Sequence, residues 1–198
     1  MDVGWIDDSR FVTCGGDKVI HVFQLNATKP IRALRYSFIS IEGVQTVYLV
    51  LSRGHTNDIN QVECNPSSTS LASCSDDGTA RTWNLQTGTS VVCAGHTAEL
   101  VHVEWCPRTE HWKDELIATC AKDATTRIWN SVTGECLKVF TDHTESLFAL
   151  AFCPSGRWLA TGGADGDIHV YDMQVGLINF HQNIGVGEAD VGAALPRA

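Results

Sequence analysis

Apolar residues recur along most of this chain in short alternating runs, broken at close intervals by Gly, Asp, Asn or Pro. Segments such as "INQVECNP", "LVHVEWCP" and "LFALAFCP" place apolar side chains near every second position, the period of a half-buried strand. No amphipathic run of helical period survives the repeated turn residues, so the pattern predicts an all-β chain. The tripeptides "DDG" at 76–78 and "ADG" at 164–166 mark tight hairpins. Gly88, Gly134 and Gly176 supply the backbone freedom of further turns.

The predicted strands come in a repeating order. The phrases "FVTCGGDKVIHVFQL", "LASCSDDGTARTWNL", "IATCAKDATTRIWNS" and "LATGGADGDIHVYDM" each carry a Ser or Thr, then Asp, then an aromatic, at one fixed spacing. The sets are Thr13, Asp17 and Phe23; Ser73, Asp77 and Trp83; Thr119, Asp123 and Trp129; and Thr161, Asp165 and Tyr171. Three of them follow a His-Thr pair, at His55, His96 and His143. Each unit therefore reads as four short strands. A buried imidazole must satisfy both ring nitrogens, and a hydroxyl and a carboxylate are able to do so. The His, Ser/Thr, Asp and aromatic are expected to form one network that ties the loop before a unit to the strands inside it.

These residues resemble the WD-repeat β-propeller family, whose signature runs from Gly-His to Trp-Asp. The resemblance covers most of residues 3–173, although the closing dipeptides here are Trp83-Asn84, Trp129-Asn130 and Tyr171-Asp172. "GHTNDINQVECNPSSTSLASCSDDGTARTWNL" and "WIDDSRFVTCGGDKVIHVFQL" are further similar to the transducin-β-like family of F-box-like, WD-repeat corepressor subunits, as is the lengthened loop "RTEHWKDE" at 108–115. That resemblance implies a carboxy-proximal piece of a nuclear scaffold in a histone-deacetylase corepressor complex that regulates transcription. Carried over by alignment, the family's top face implies a partner-binding rim of Asp58, Asn60, Asp76, Glu99, Val101, Lys122, Ser146 and Phe148, with Ala164 beside them. Asp58, Asp76 and Glu99 make part of that rim acidic, which suits a basic peptide such as a histone tail. The implied partners are protein or peptide, including other corepressor subunits.

Counting units gives a partial propeller of about four blades in an incomplete ring, where whole propellers have roughly 4–8. The divisions are a partial repeat at 1–35, repeats at 54–94, 95–141 (with the long loop) and 142–180, and a loose tail at 181–198. Residues 36–53, "YSFISIEGVQTVYLVLSR", interrupt the pattern. Without them the flanks join as "KPIRALRGHTNDIN", an outer strand followed by Gly-His. One reading is a short retained intron translated in frame, with its splice dinucleotides supplied by AGG codons at Arg35 and Arg53. The other is an extra hairpin of "YSFISI" and "TVYLVLS" around Glu42-Gly43. The intron is preferred, because a loop this long between adjacent strands is uncommon. A partial ring leaves blade faces uncovered and open to self-association. The competing functional reading is thus a truncated gene product or faulty gene prediction with no independent function.

Composition narrows the rest. Fourteen basic residues against 23 acidic give a net charge of −9, which argues against a partner with a phosphate backbone. The start "MDVGWIDDSR" has no secretory character, and no apolar run reaches the ~18 residues of a membrane span, so an intracellular, membrane-free protein is expected. The eight cysteines include no C-x-x-C pair and recur with the repeat, so they are expected as buried small hydrophobes, with no metal or cofactor. His55, Ser73 and Asp77 could be mistaken for a nucleophilic triad. The same set recurs at His96, Thr119 and Asp123 and at His143, Thr161 and Asp165, whereas an active site needs one constellation. No catalytic residue is expected.

Overall fold

The computed structural model describes residues 2–25, 36–41, 44–51, 54–107, 115–173 and 182–183, the stretches 36–51 and 182–183 by backbone alone. The described residues form antiparallel strands and no helix. Four separate sheets follow one another along the chain. The first holds β1 (Asp2–Asp7), β2 (Arg10–Cys14), β3 (Ile20–Gln24), β4 (Tyr36–Ile41) and β5 (Val44–Leu51), in the order β1-β2-β3-β5-β4. The second runs β6 (Ile59–Cys64), β7 (Ser70–Ser75), β8 (Thr79–Asn84) and β9 (Ser90–Ala94). The third runs β10 (Leu100–Trp105), β11 (Leu116–Ala121), β12 (Thr126–Asn130) and β13 (Cys136–Phe140). The fourth runs β14 (Leu147–Phe152), β15 (Trp158–Gly163), β16 (Asp167–Asp172) and β17 (Gln182–Asn183).

Each sheet is one blade, and the inner strands β1, β6, β10 and β14 pack one against the next. Alternation along the strands gives every blade two apolar faces. In blade 2, Ala72, Cys74 and Ala80 look forward and meet Trp105, Ile117 and Trp129 of blade 3 in one fully buried cluster. In blade 3, Ala118, Cys120 and Ile128 meet Leu150, Leu159 and Tyr171 of blade 4 in the same way. Burying one such large side chain contributes roughly 1.5–3 kcal/mol, so these blade-to-blade clusters, rather than any single blade, hold the fold. The ring they begin is not closed.

Polar side chains on the inner strands add hydrogen bonds across the junctions. Asp2 Oδ2 accepts the Val62 N–H at 3.2 Å, and Gln61 Oε1 accepts the Val103 N–H at 2.7 Å. Glu63 Oε2 accepts the Trp105 N–H at 2.7 Å, and Glu104 Oε2 accepts the Phe152 N–H at 2.9 Å. Burial pushes the Glu63 carboxyl up to about 7, against the Trp105 amide that lowers it.

The segment 36–53 contributes a backbone hairpin, β4 with β5. Its β5 pairs with β3 from Ile20↔Leu51 to Gln24↔Val47, the place a fourth blade strand occupies. The outer strand expected near 29–34 lies outside the described residues, as do residues 108–114 of the long loop and 184–198 of the tail. Within the segment expected to be loose, Gln182 and Asn183 pair with Ile168 and Asp167.

Candidate functional site

The recurrent His, Ser/Thr and Asp meet at the same place in three blades. In blade 2, His55 Nδ1 lies 2.9 Å from Asp77 Oδ2 and His55 Nε2 lies 2.8 Å from Ser73 Oγ. The Trp83 indole donates to the same Ser73 Oγ at 2.9 Å. An indole N–H only donates, so the serine oxygen accepts there; its own hydrogen has His55 Nε2 at 2.8 Å and the Arg81 carbonyl at 3.5 Å as acceptors, and the imidazole is much the nearer. The imidazole is then neutral, with Nδ1–H donating to Asp77. The Thr56 N–H and the Thr79 hydroxyl complete the carboxylate at 2.9 and 2.6 Å. Blade 3 repeats this with His96, Thr119, Asp123 and Trp129 at 2.8–2.9 Å.

Burial lowers the pKa of His55 and His96, outweighing the neighbouring carboxylates that raise it. Asp77 and Asp123 are pushed upward by burial but end below the ordinary value. For Asp77 the Thr79 hydroxyl and Thr56 amide are the main stabilisers, and for Asp123 the Thr97 amide and Thr125 hydroxyl.

Blade 4 keeps the His143 contacts, 2.7 Å to Asp165 Oδ2 and 2.9 Å to Thr161 Oγ1, but closes them differently. Tyr171 has no indole to donate and stacks on Phe140 at 4.0 Å between ring centroids. Its neighbours change with it. In blades 2 and 3 the residue before His is Gly54 or Gly95, and a Cβ there would come 2.6 Å from the Trp83 ring or 2.7 Å from Arg127. Blade 4 has the smaller Tyr171 and His169 in place of the Trp and Arg, and carries Asp142 at the glycine position. Blade 1 has no preceding His among its described residues. Asp17 instead pairs with His21 Nε2 at 2.8 Å, Thr13 sits half-buried beside it, and Phe23 stacks on Phe11 at 4.7 Å.

These networks are interior features. Ser73, Thr119 and Thr161 are buried, so a substrate has no open approach to their oxygens. Cys14, Cys74, Cys93, Cys106 and Cys120 are buried as well, and burial pushes Cys93, Cys106 and Cys120 up to about 12.

The rim residues lie at the loop ends beside the networks. Backbone bonds link them across the mouth of each blade: Asp76 N–H to Asp58 O, Lys122 N–H to Glu99 O and Ala164 N–H to Ser146 O, at 2.8–3.0 Å. Asn60 Nδ2 donates to Asp76 Oδ1 at 2.6 Å and to Leu100 O in the next blade at 2.7 Å. Lys122 Nζ pairs with Glu99 Oε2 at 2.7 Å, and the Ser146 hydroxyl donates to Lys122 O at 3.2 Å. The Glu99 hydrogen bond and charge hold Lys122 above the ordinary lysine value. Asp58, Asp76 and Glu99 thus share this edge with Lys122 and with Lys18, whose Nζ donates to Thr56 O at 3.0 Å, and Asp58 is exposed. Val101 is half-buried, and Phe148 projects to solvent from the last blade. The inter-blade acceptors Gln61, Glu63 and Glu104 are the contributors the sequence reasoning missed. Their signal is a polar residue inside an otherwise apolar inner strand.

Successive antiparallel blades joined face to face, three of them locked by an imidazole between a hydroxyl and a carboxylate, define a WD-repeat propeller arc. The chain belongs to the family described as WD domain, G-beta repeat, whose profile matches residues 46–84, 88–130 and 134–172, more than half of the chain. It is 30% identical over 165 residues to the WD40 repeat-containing protein HOS15 of Arabidopsis thaliana, covering 81% of this chain and 24% of that protein. It is 27% identical over 170 residues to a component of chromatin assembly factor 1 of Schizosaccharomyces pombe, covering 86% of this chain and 26% of that one. The solved C-terminal WD40 domain of Sif2 superposes with a TM-score of 0.66 at 27% identity, over 87% of this chain and 43% of that domain's chain. The chain therefore spans about a quarter of the length of these curated relatives.

Proposed function

We propose that this chain is a non-catalytic protein-interaction scaffold of the nucleus, and that its rim holds a basic peptide within a histone-deacetylase corepressor complex. The observation that carries the reading is the run of Asp58, Asp76 and Glu99 along adjacent blade mouths, in which Glu99 is paired with Lys122 while Asp58 and Asp76 keep the edge acidic. A Lys- or Arg-rich segment laid across those mouths meets carboxylates, backbone carbonyls and the Asn60 side chain. The relative named for chromatin assembly supports a basic, histone-like partner.

The test is binding of a labelled Lys-rich peptide with a histone-tail composition, read by fluorescence anisotropy. Asp58→Lys is the informative variant because Asp58 is exposed, so the fold does not depend on its carboxylate. Binding is expected to weaken ~5-fold or more with an unchanged melting temperature, and to weaken as salt rises. Equal affinity for an acidic peptide, or undiminished binding by Asp58→Lys, contradicts the reading.

A further inference from the structure

One backbone link recurs across three blade mouths, and the charges on it differ. The Asp76, Lys122 and Ala164 amides donate to the carbonyls of Asp58, Glu99 and Ser146. The facing side chains are therefore two carboxylates in blade 2, a carboxylate and an ammonium in blade 3, and two neutral groups in blade 4. Lys122 is an arm with a fixed root and a loose end. Its N–H is held by Glu99 O at 2.9 Å, and its carbonyl accepts the Ser146 hydroxyl at 3.2 Å. Its ammonium returns over the same mouth to Glu99 Oε2 at 2.7 Å, yet the two side chains stay 48% and 44% exposed. The same ammonium lies in the field of Asp76, in the mouth before it.

We propose, on the reading of the rim as a basic-peptide site, that Lys122 is a tethered competitor for that site: its ammonium occupies the Glu99 carboxylate that an incoming basic side chain needs, and binding displaces it. An exposed ion pair of this kind is weak, because water and salt screen it and two long side chains lose freedom to make it. It therefore opens readily. While it is closed, being on the same chain, it competes at an effective concentration that a free lysine in solution does not reach.

Displacement exchanges one ion pair for another of the same kind, so Glu99 adds little to affinity while Lys122 is in place. Recognition then falls mainly on Asp58 and Asp76. The rim favours a segment with several basic residues, whose further cations find those two carboxylates, over a lone lysine that only replaces Lys122. Lys18 is placed differently on the same edge. Its ammonium is held by the Thr56 carbonyl at 3.0 Å, so its removal uncovers a backbone oxygen rather than a carboxylate.

The test is fluorescence anisotropy with a labelled Lys-rich peptide, on the whole chain and its variants at one salt concentration. Lys122→Met keeps the aliphatic stem, removes the ammonium and is expected to tighten binding ~3–5-fold with an unchanged melting temperature. Lys18→Met removes the same charge from the same edge and is expected to tighten it by less than ~2-fold, which separates displacement from the general field of the rim. Glu99→Gln is expected to weaken binding more in Lys122→Met, where the carboxylate is open, than in the parent chain, where it is engaged. Equal gains from Lys122→Met and Lys18→Met overturn the proposal, as does an equal effect of Glu99→Gln in both backgrounds. If Asp58→Lys weakens binding and Lys122→Met does not tighten it, the competitor is overturned while the rim reading stands. If neither the parent chain nor Lys122→Met binds the peptide, the rim reading fails and the competitor falls with it.

Discussion

His55 and His96 make the stability of the blades depend on mildly acidic pH. Both imidazoles are held neutral by burial, below the reference value of 6.5, so below that pH the unfolded chain takes up protons that the native chain resists. Stability is lost as pH falls from 6.5 toward the native values. Asp77, Asp123 and Asp165, held below 3.8, add a further loss at lower pH. Glu63 acts in the opposite sense. Its native value of about 7 against 4.5 adds stability as pH falls between those limits. Between pH 7 and pH 5 the histidines and the half-buried glutamates oppose one another, and the melting temperature follows their difference, at about 2–4 °C per kcal/mol. In Glu63→Gln one of the two opposing contributions is removed, with Glu104 left, and the melting temperature is expected to fall more, or rise less, from pH 7 to pH 5 than in the parent chain; an unchanged profile contradicts the assignment. The His–Ser/Thr–Asp sets were legible because their spacing recurs and a buried imidazole has few ways to satisfy both nitrogens. The partner of Asp17 was not, because His21 lies on the strand after it rather than in a preceding loop. Glu63 and Glu104 were not legible either, since a carboxylate in an alternating strand reads as solvent-facing until the next blade is placed against it.

At the scale of the strand pair, the hairpin after each repeat Asp needs a left-handed residue. Gly78 and Gly166 fill that position at φ 80°, but Lys18 and Ala124 occupy it at φ 63° and 61°. A side chain in this region costs roughly 1–2 kcal/mol. Ala124→Gly is therefore expected to raise stability by about 1 kcal/mol, and Gly78→Ala to lower it by a similar amount, in denaturant titrations. Equal stability of the three proteins would show that the turn relaxes freely. The "DDG" and "ADG" turns were readable from sequence; the matching turns at 17–19 and 123–125 lack the glycine and gave no such signal. The fourth strand of blade 1 was not readable. Residues 44–51 compete for that place with 29–34, and apolar β-branched character alone does not decide between two candidate edge strands. The pairing of β5 with β3 gives that place to the later segment.

Across the whole molecule, the class of fold followed from four copies of one pattern, three of which bury their aromatic, Trp83, Trp129 or Tyr171, as a stacked repeat does. The rim's chemistry needed the structure: Lys122 and Glu99 neutralise one another, and Asn60 bridges Asp76 to the neighbouring blade. What remains on this edge is a modest acidic surface at the loop ends, on which the proposed basic segment would lie. The networks beneath it keep those loops in place, which gives a structural chemistry to residues that resemble a catalytic triad. The most direct test is a nuclear magnetic resonance titration of the chain with a Lys-rich peptide. The account predicts amide shifts at 57–60, 76–79, 97–101 and 122, with the outer strands β9 and β13 unmoved. Shifts centred on those outer strands, or none at a saturating concentration, would contradict it.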